Sequence, residues 1–129
     1  MPPQSIDGLD AAVEIMFISD DAELADMYRL KLELDGYAVT LVTTEEARAA
    51  SLQPAPDIVY LDVGLLRQAG LATHRRLRAQ LGTRHVPIVL VSTRVAREDL
   101  PAALKLSVHD FLIASDSVLP DSFWKEIQR

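Results

Sequence analysis

The 129 residues contain no cysteine, and that absence removes disulfides, thiolate nucleophiles and zinc–thiolate sites together. Cations are also in short supply. Thirteen Lys and Arg stand against 19 Asp and Glu, a formal net charge of −6, which argues against non-specific binding to nucleic acid or to an anionic membrane. No apolar run approaches the roughly 18 residues of a membrane span, and the opening MPPQSIDGLD lacks the basic and apolar regions of a secretory signal. The expectation is a cytoplasmic protein whose charge suits a basic partner or a metal cation. Residues 1–12 read as a flexible lead-in and 13–129 as one domain.

What is present is hydrophobic residues, 49% of the chain, arranged in short β-branched runs. VEIMFIS (13–19), AVTLVT (38–43), DIVYLDV (57–63), VPIVLVS (86–92) and DFLIA (110–114) read as five strands. Helical spacing falls between them: Leu24, Met27 and Leu34 in one segment, Leu71, His74, Leu77 and Leu81 in another. Gly36 follows the first helix, and Thr43 with Glu46 has the spacing of a capping box opening the second. Pro54 and Pro56 close that helix. Pro87 falls where the fourth strand begins, and Pro101 fits a first helical turn with Asp99 as N-cap. A last helix is expected over 117–129.

Strict alternation of strand and helix predicts an α/β fold, a parallel five-stranded sheet with helices on both faces. Ligands in such folds bind outside the C-terminal strand ends, where strand order reverses. In the flavodoxin-like order 2-1-3-4-5, the acidic pair Asp20 and Asp21 and the lone Asp62 converge there. Two like charges about 4 Å apart cost roughly 4 kcal/mol at an effective dielectric of about 20, so the cluster needs a proton or a cation. Magnesium suits oxygen donors of this kind. Taken singly, Asp20, Asp21 and Asp62 are equally good helix or turn caps, and Ser92 at the end of the fourth strand equally satisfies a local backbone group.

Together these residues resemble the receiver domain of two-component response regulators, over nearly the whole chain from Val13. Asp20 and Asp21 match that family's metal-binding pair, Asp62 its phosphoacceptor, and Gly70 the glycine after the third-strand loop. Ser92 matches its switch hydroxyl and Phe111 its switch aromatic. The resemblance implies a Mg2+ held by Asp21, Asp62 and the Gly64 carbonyl, with Asp20 acting partly through water. It implies phosphate accepted on Asp62 from a histidine kinase or phosphotransfer protein, and signalling through the face of the fourth helix, fifth strand and fifth helix, which also offers a homodimer surface.

The sequence departs from the family where Lys followed by Pro usually ends the fifth strand, with Ala114 and Ser115 in those places. A methyl group cannot pair with a phosphoryl oxygen, so a charge-assisted contact of about 1.5–3 kcal/mol is missing. Arg94, near Ser92, is the one nearby candidate to replace it. The alternative is therefore a pseudo-receiver, a protein-interaction or dimerisation module independent of phosphate. An enzyme is disfavoured beyond self-phosphorylation: an aspartyl phosphatase carries a second acid two residues on, and that position is Gly64. His74, His85 and His109 lack metal-ligand spacing and read as surface or satisfied core residues.

Overall fold

The structure is a computed structural model that describes residues 12–49, 55–64, 68–80, 82–93 and 99–114. Its elements run β1 (Glu14–Ile18), α1 (Ala22–Leu34), β2 (Ala38–Val42), α2 (Thr44–Ala49), β3 (Ile58–Gly64), α3 (Gln68–Ala79), β4 (Ile88–Ser92), α4 (Leu100–Ala103) and β5 (Asp110–Ala114). All strand pairs are parallel, in the order β2-β1-β3-β4-β5. The doubly wound sheet expected from the alternation is the one observed. The lead-in, Pro54, Leu81, Arg94 and the helix expected over 117–129 lie outside the described residues.

Strand periodicity divides the core into two layers. Along β1, Ile15 and Phe17 point to the α1 side and pack with Ala25 and Leu32 of α1, with Tyr28, Ile58 and Tyr60 against them. The alternate residues Ile18, Val59, Leu61 and Val63 point the other way, packing with Leu71 and Leu77 of α3, Ala47 of α2 and Leu100 of α4. Burying each large side chain contributes about 1.5–3 kcal/mol. Both faces of β3 are therefore covered, which is why its sequence is nearly continuous in apolar residues until Asp62.

The helix ends follow local chemistry. Asp21 caps α1, accepting from the Leu24 N–H at 3.1 Å. Gly36, with φ of 98°, supplies the left-handed turn beyond its other end. The capping box of α2 is complete: the Thr43 N–H donates to Glu46 Oε1 at 2.8 Å, and the Glu46 N–H to Thr43 Oγ1 at 3.0 Å. At α4, Pro101 occupies the first turn as expected, but Asp99 makes no side-chain capping bond.

One buried polar network ties α3 to β5. Asp110 Oδ1 lies 3.0 Å from His74 Nε2 and accepts from Arg78 Nη2 at 2.6 Å, while its Oδ2 accepts from the Ser107 N–H at 2.8 Å. Arg78 also donates to the carbonyls of Val86 and His109. His74 is thus a core residue with a partner on one ring nitrogen, while its Nδ1 has none among the described residues.

Candidate functional site

Parallel pairing sets the site. β1 and β3 pair as Ile15 with Ile58, and so on to Ile18 with Leu61. One step further along that register brings Ser19 beside Asp62, both on the α1 side of the sheet by strand alternation. Ser19 Oγ donates to Asp62 Oδ2 at 2.7 Å, a buried side-chain contact. The other carboxylate oxygen, Oδ1, accepts from the Gly64 N–H at 2.9 Å. Asp62 is 6% exposed and Ser19 5% exposed, so this pair sits under the rim of the sheet.

Backbone geometry beside Asp62 depends on two glycines. The β3–β4 register shifts between Asp62 and Gly64, and Gly64 adopts φ of 53°. Gly70, on α3, comes so near that a Cβ there would meet the Asp62 carbonyl oxygen at 3.0 Å and Val63 Cα at 3.1 Å. A glycine is what lets α3 approach the strand end.

The acidic pair is engaged in capping, one of the two readings that the sequence left open. Asp20 turns to the start of α2, where Oδ1 accepts from the Thr44 N–H at 2.9 Å and Oδ2 from the Thr44 hydroxyl at 2.7 Å. Asp21 is the α1 cap, its N–H donating to Ser19 Oγ at 2.9 Å. The Gly64 carbonyl accepts from the Thr93 N–H at 3.1 Å. As hard oxygen donors these groups suit Mg2+, while in this structure the Asp20 and Asp21 carboxylates are turned to backbone and hydroxyl donors. Among the described residues no three carboxylate or imidazole side chains are gathered to hold a metal. Each of the three carboxylates accepts hydrogen bonds from protein donors.

Of the remaining residues, Ser92 and Ala114 fall at the same end of the sheet, whereas Phe111 pairs with Val89 near the other end. Ser92 ends β4, paired in register with Gly64 on one side and Ala114 on the other, and is buried. Its hydroxyl donates to the Thr93 carbonyl at 3.0 Å. Ala114 places a methyl group beside Ser92. Phe111 stands outward, 52% exposed, and nearby Val108 is 85% exposed. Sequence reasoning missed Ser19. The available signal was strand register: if β1 and β3 are neighbours, the residue before the acidic pair meets the residue that ends β3.

Residues 15–114 match the response regulator receiver domain family. The chain belongs to that family. It is similar to the transcriptional regulatory protein CpxR of Klebsiella pneumoniae, 27% identical over 99 residues that span 77% of this chain and 41% of that protein. It is also similar to the transcriptional regulatory protein CseB of Streptomyces coelicolor, 30% identical over 99 residues, or 76% of this chain and 41% of that one. The chain therefore spans less than half the length of these curated relatives. Among solved structures, the phosphorylated cyanobacterial phytochrome response regulator RcpA has a TM-score of 0.70 at 20% identity, covering 92% of this chain and 91% of its own. The receiver domain of a sensor histidine kinase from Pseudomonas aeruginosa PAO1, solved with magnesium coordinated in its active site cleft, has a TM-score of 0.67 at 24% identity, covering 92% and 100%. These two structures bear on the fold. The family match makes this a receiver domain of the two-component response-regulator type, a class of signalling modules rather than small-molecule enzymes. No helix among the described residues is long and apolar enough to cross a membrane.

Proposed function

We propose that this receiver domain works in its two-component pathway as a protein-interaction module that does not depend on phosphate at Asp62. One observation carries the reading: the Asp62 carboxylate is held inside the protein by the Ser19 hydroxyl and the Gly64 N–H. A nucleophilic carboxylate must meet the phosphorus with a metal and a cation drawing charge from the transferred group. Here the neighbouring strand end offers a neutral hydroxyl, Asp20 and Asp21 are engaged as caps, and Ala114 supplies no charge. Magnesium, where it binds in receiver domains, neutralises the phosphoryl oxygens. Among the described residues the three carboxylates are instead engaged with protein donors.

The surface that would carry the interaction is the side of α4 and β5, where Val108 and Phe111 stand exposed beside the edge strand of the sheet. A histidine kinase, a phosphotransfer protein or a second copy of this chain are the partners that the family suggests for it. A second reading, phosphate acceptance on Asp62, is favoured by the adjacency of Asp62 and Ser92 at the ends of β3 and β4. Incubation with a small phosphodonor and Mg2+, read by intact mass beside Asp62→Asn, separates the two. The proposal expects no adduct on the parent protein. One phosphoryl group that disappears in Asp62→Asn establishes the second reading instead.

A further inference from the structure

Between them, α2 and α3 enclose a recess of about 160 Å³. Thr44, Glu45 and Arg48 form its α2 wall, and Ala72, Thr73 and Arg76 line the α3 side. Its hydroxyls are already committed, Thr44 Oγ1 to Asp20 and Thr73 Oγ1 to the Ala69 carbonyl at 2.8 Å. Glu45 is committed too, accepting from Arg48 Nη2 at 2.6 Å. That hydrogen bond and the Arg48 charge hold its carboxyl below the ordinary value.

Arg76 is the exception. Its Nη2 is buried and has no hydrogen-bond partner among the described residues. A guanidinium nitrogen removed from water without an acceptor is costly, and native structures pair nearly all such groups. Two guanidinium groups, Arg48 and Arg76, line the recess with one carboxylate, Glu45. We propose that this recess between α2 and α3 binds a carboxylate group, received by Arg76 with Arg48 at the rim.

The chemistry favours a carboxylate over a phosphate. A monoanion meets less repulsion from Glu45 and from the Asp20 carboxylate held by Thr44 than a phosphate, which brings about −1.5 to −2 charges. A planar carboxylate fits the guanidinium fork, and the Ala72 methyl gives the carbon behind it an apolar wall. The carboxylate is supplied either by a small organic acid or by an Asp or Glu side chain of a docking polypeptide.

The test is an amide NMR titration with three additions: sodium succinate, a terminally blocked peptide rich in Asp and Glu, and sodium chloride at matched ionic strength. Saturable shifts at Thr44–Arg48 and Ala72–Arg76 are expected with succinate or the peptide, and none with chloride. At least tenfold tighter binding of the peptide identifies a polypeptide source; the reverse identifies a small acid. Arg76→Gln should weaken binding at least tenfold, Arg48→Gln several-fold, and Asp62→Asn should leave it unchanged. Since Arg48 is exposed, its variant keeps the test valid if Arg76→Gln unfolds. No saturable shifts, equal shifts with chloride, or unchanged binding in whichever arginine variants fold overturns the proposal.

Discussion

Ser19 Oγ and Asp62 Oδ2 lie 2.7 Å apart, joining the ends of β1 and β3 beneath the rim of the sheet. The hydroxyl stabilises the carboxylate without itself adding charge. Removing the donor by Ser19→Ala leaves a buried oxygen one partner short and should cost about 1–3 kcal/mol, measured by urea denaturation. Ser19→Asp should cost more without divalent cations, because two carboxylates then face each other, and should recover on adding Mg2+. The parent protein should show no comparable Mg2+-dependent gain in Tm.

Gly70 tests the closeness of α3 to the same strand end. The Cβ of Gly70→Ala meets backbone atoms of Asp62 and Val63, which have little freedom to move. Overpacking of this kind costs about 1–3 kcal/mol. Denaturant unfolding should report that loss, accompanied by amide shifts concentrated at residues 62–64.

The Asp110 network predicts an acid limit to stability. Burial alone raises the Asp110 carboxyl, but hydrogen bonds from Arg78 and the Ser107 N–H, together with His74, outweigh it and hold the group below its ordinary value. A lowered native value means that the unfolded chain takes up the proton first. The stabilisation is therefore full above the ordinary aspartate value of about 3.9 and is lost as pH falls through the native one. Thermal unfolding should show stability declining below about pH 4. Asp110→Asn should flatten that decline while costing about 3–5 kcal/mol at neutral pH, because it leaves Arg78 without its charge partner.

Asp20 is expected to matter through α2. Its two bonds to Thr44 anchor a helix of six residues to the β1–α1 turn. Asp20→Ala should cost about 0.5–2 kcal/mol, the usual range for a lost cap, and far-UV circular dichroism should register a small loss of helix.

Local chemistry made much of the fold legible in the chain. The β-branched runs became the five strands, and the Thr43 and Glu46 box closed as its spacing implied. Asp20 and Asp21 were less readable, because the same residue type serves a cation or a helix N-terminus and only the rotamer decides. Ser19 and Asp62 are 43 positions apart, and His74 and Asp110 are 36 apart. Such contacts emerge from strand register and helix placement, which no short window contains. Ala114 was the opposite case: a missing side chain is visible from sequence alone, and its position beside Ser92 fits that reading.

The most direct measurement is titration with Mn2+ as a paramagnetic stand-in for Mg2+, followed by the broadening of amide signals at residues 19–21 and 62–64. The account predicts no saturable broadening there in the parent protein at millimolar metal, and its appearance in Ser19→Asp. Saturable broadening around Asp62 in the parent, abolished by Asp62→Asn, contradicts it.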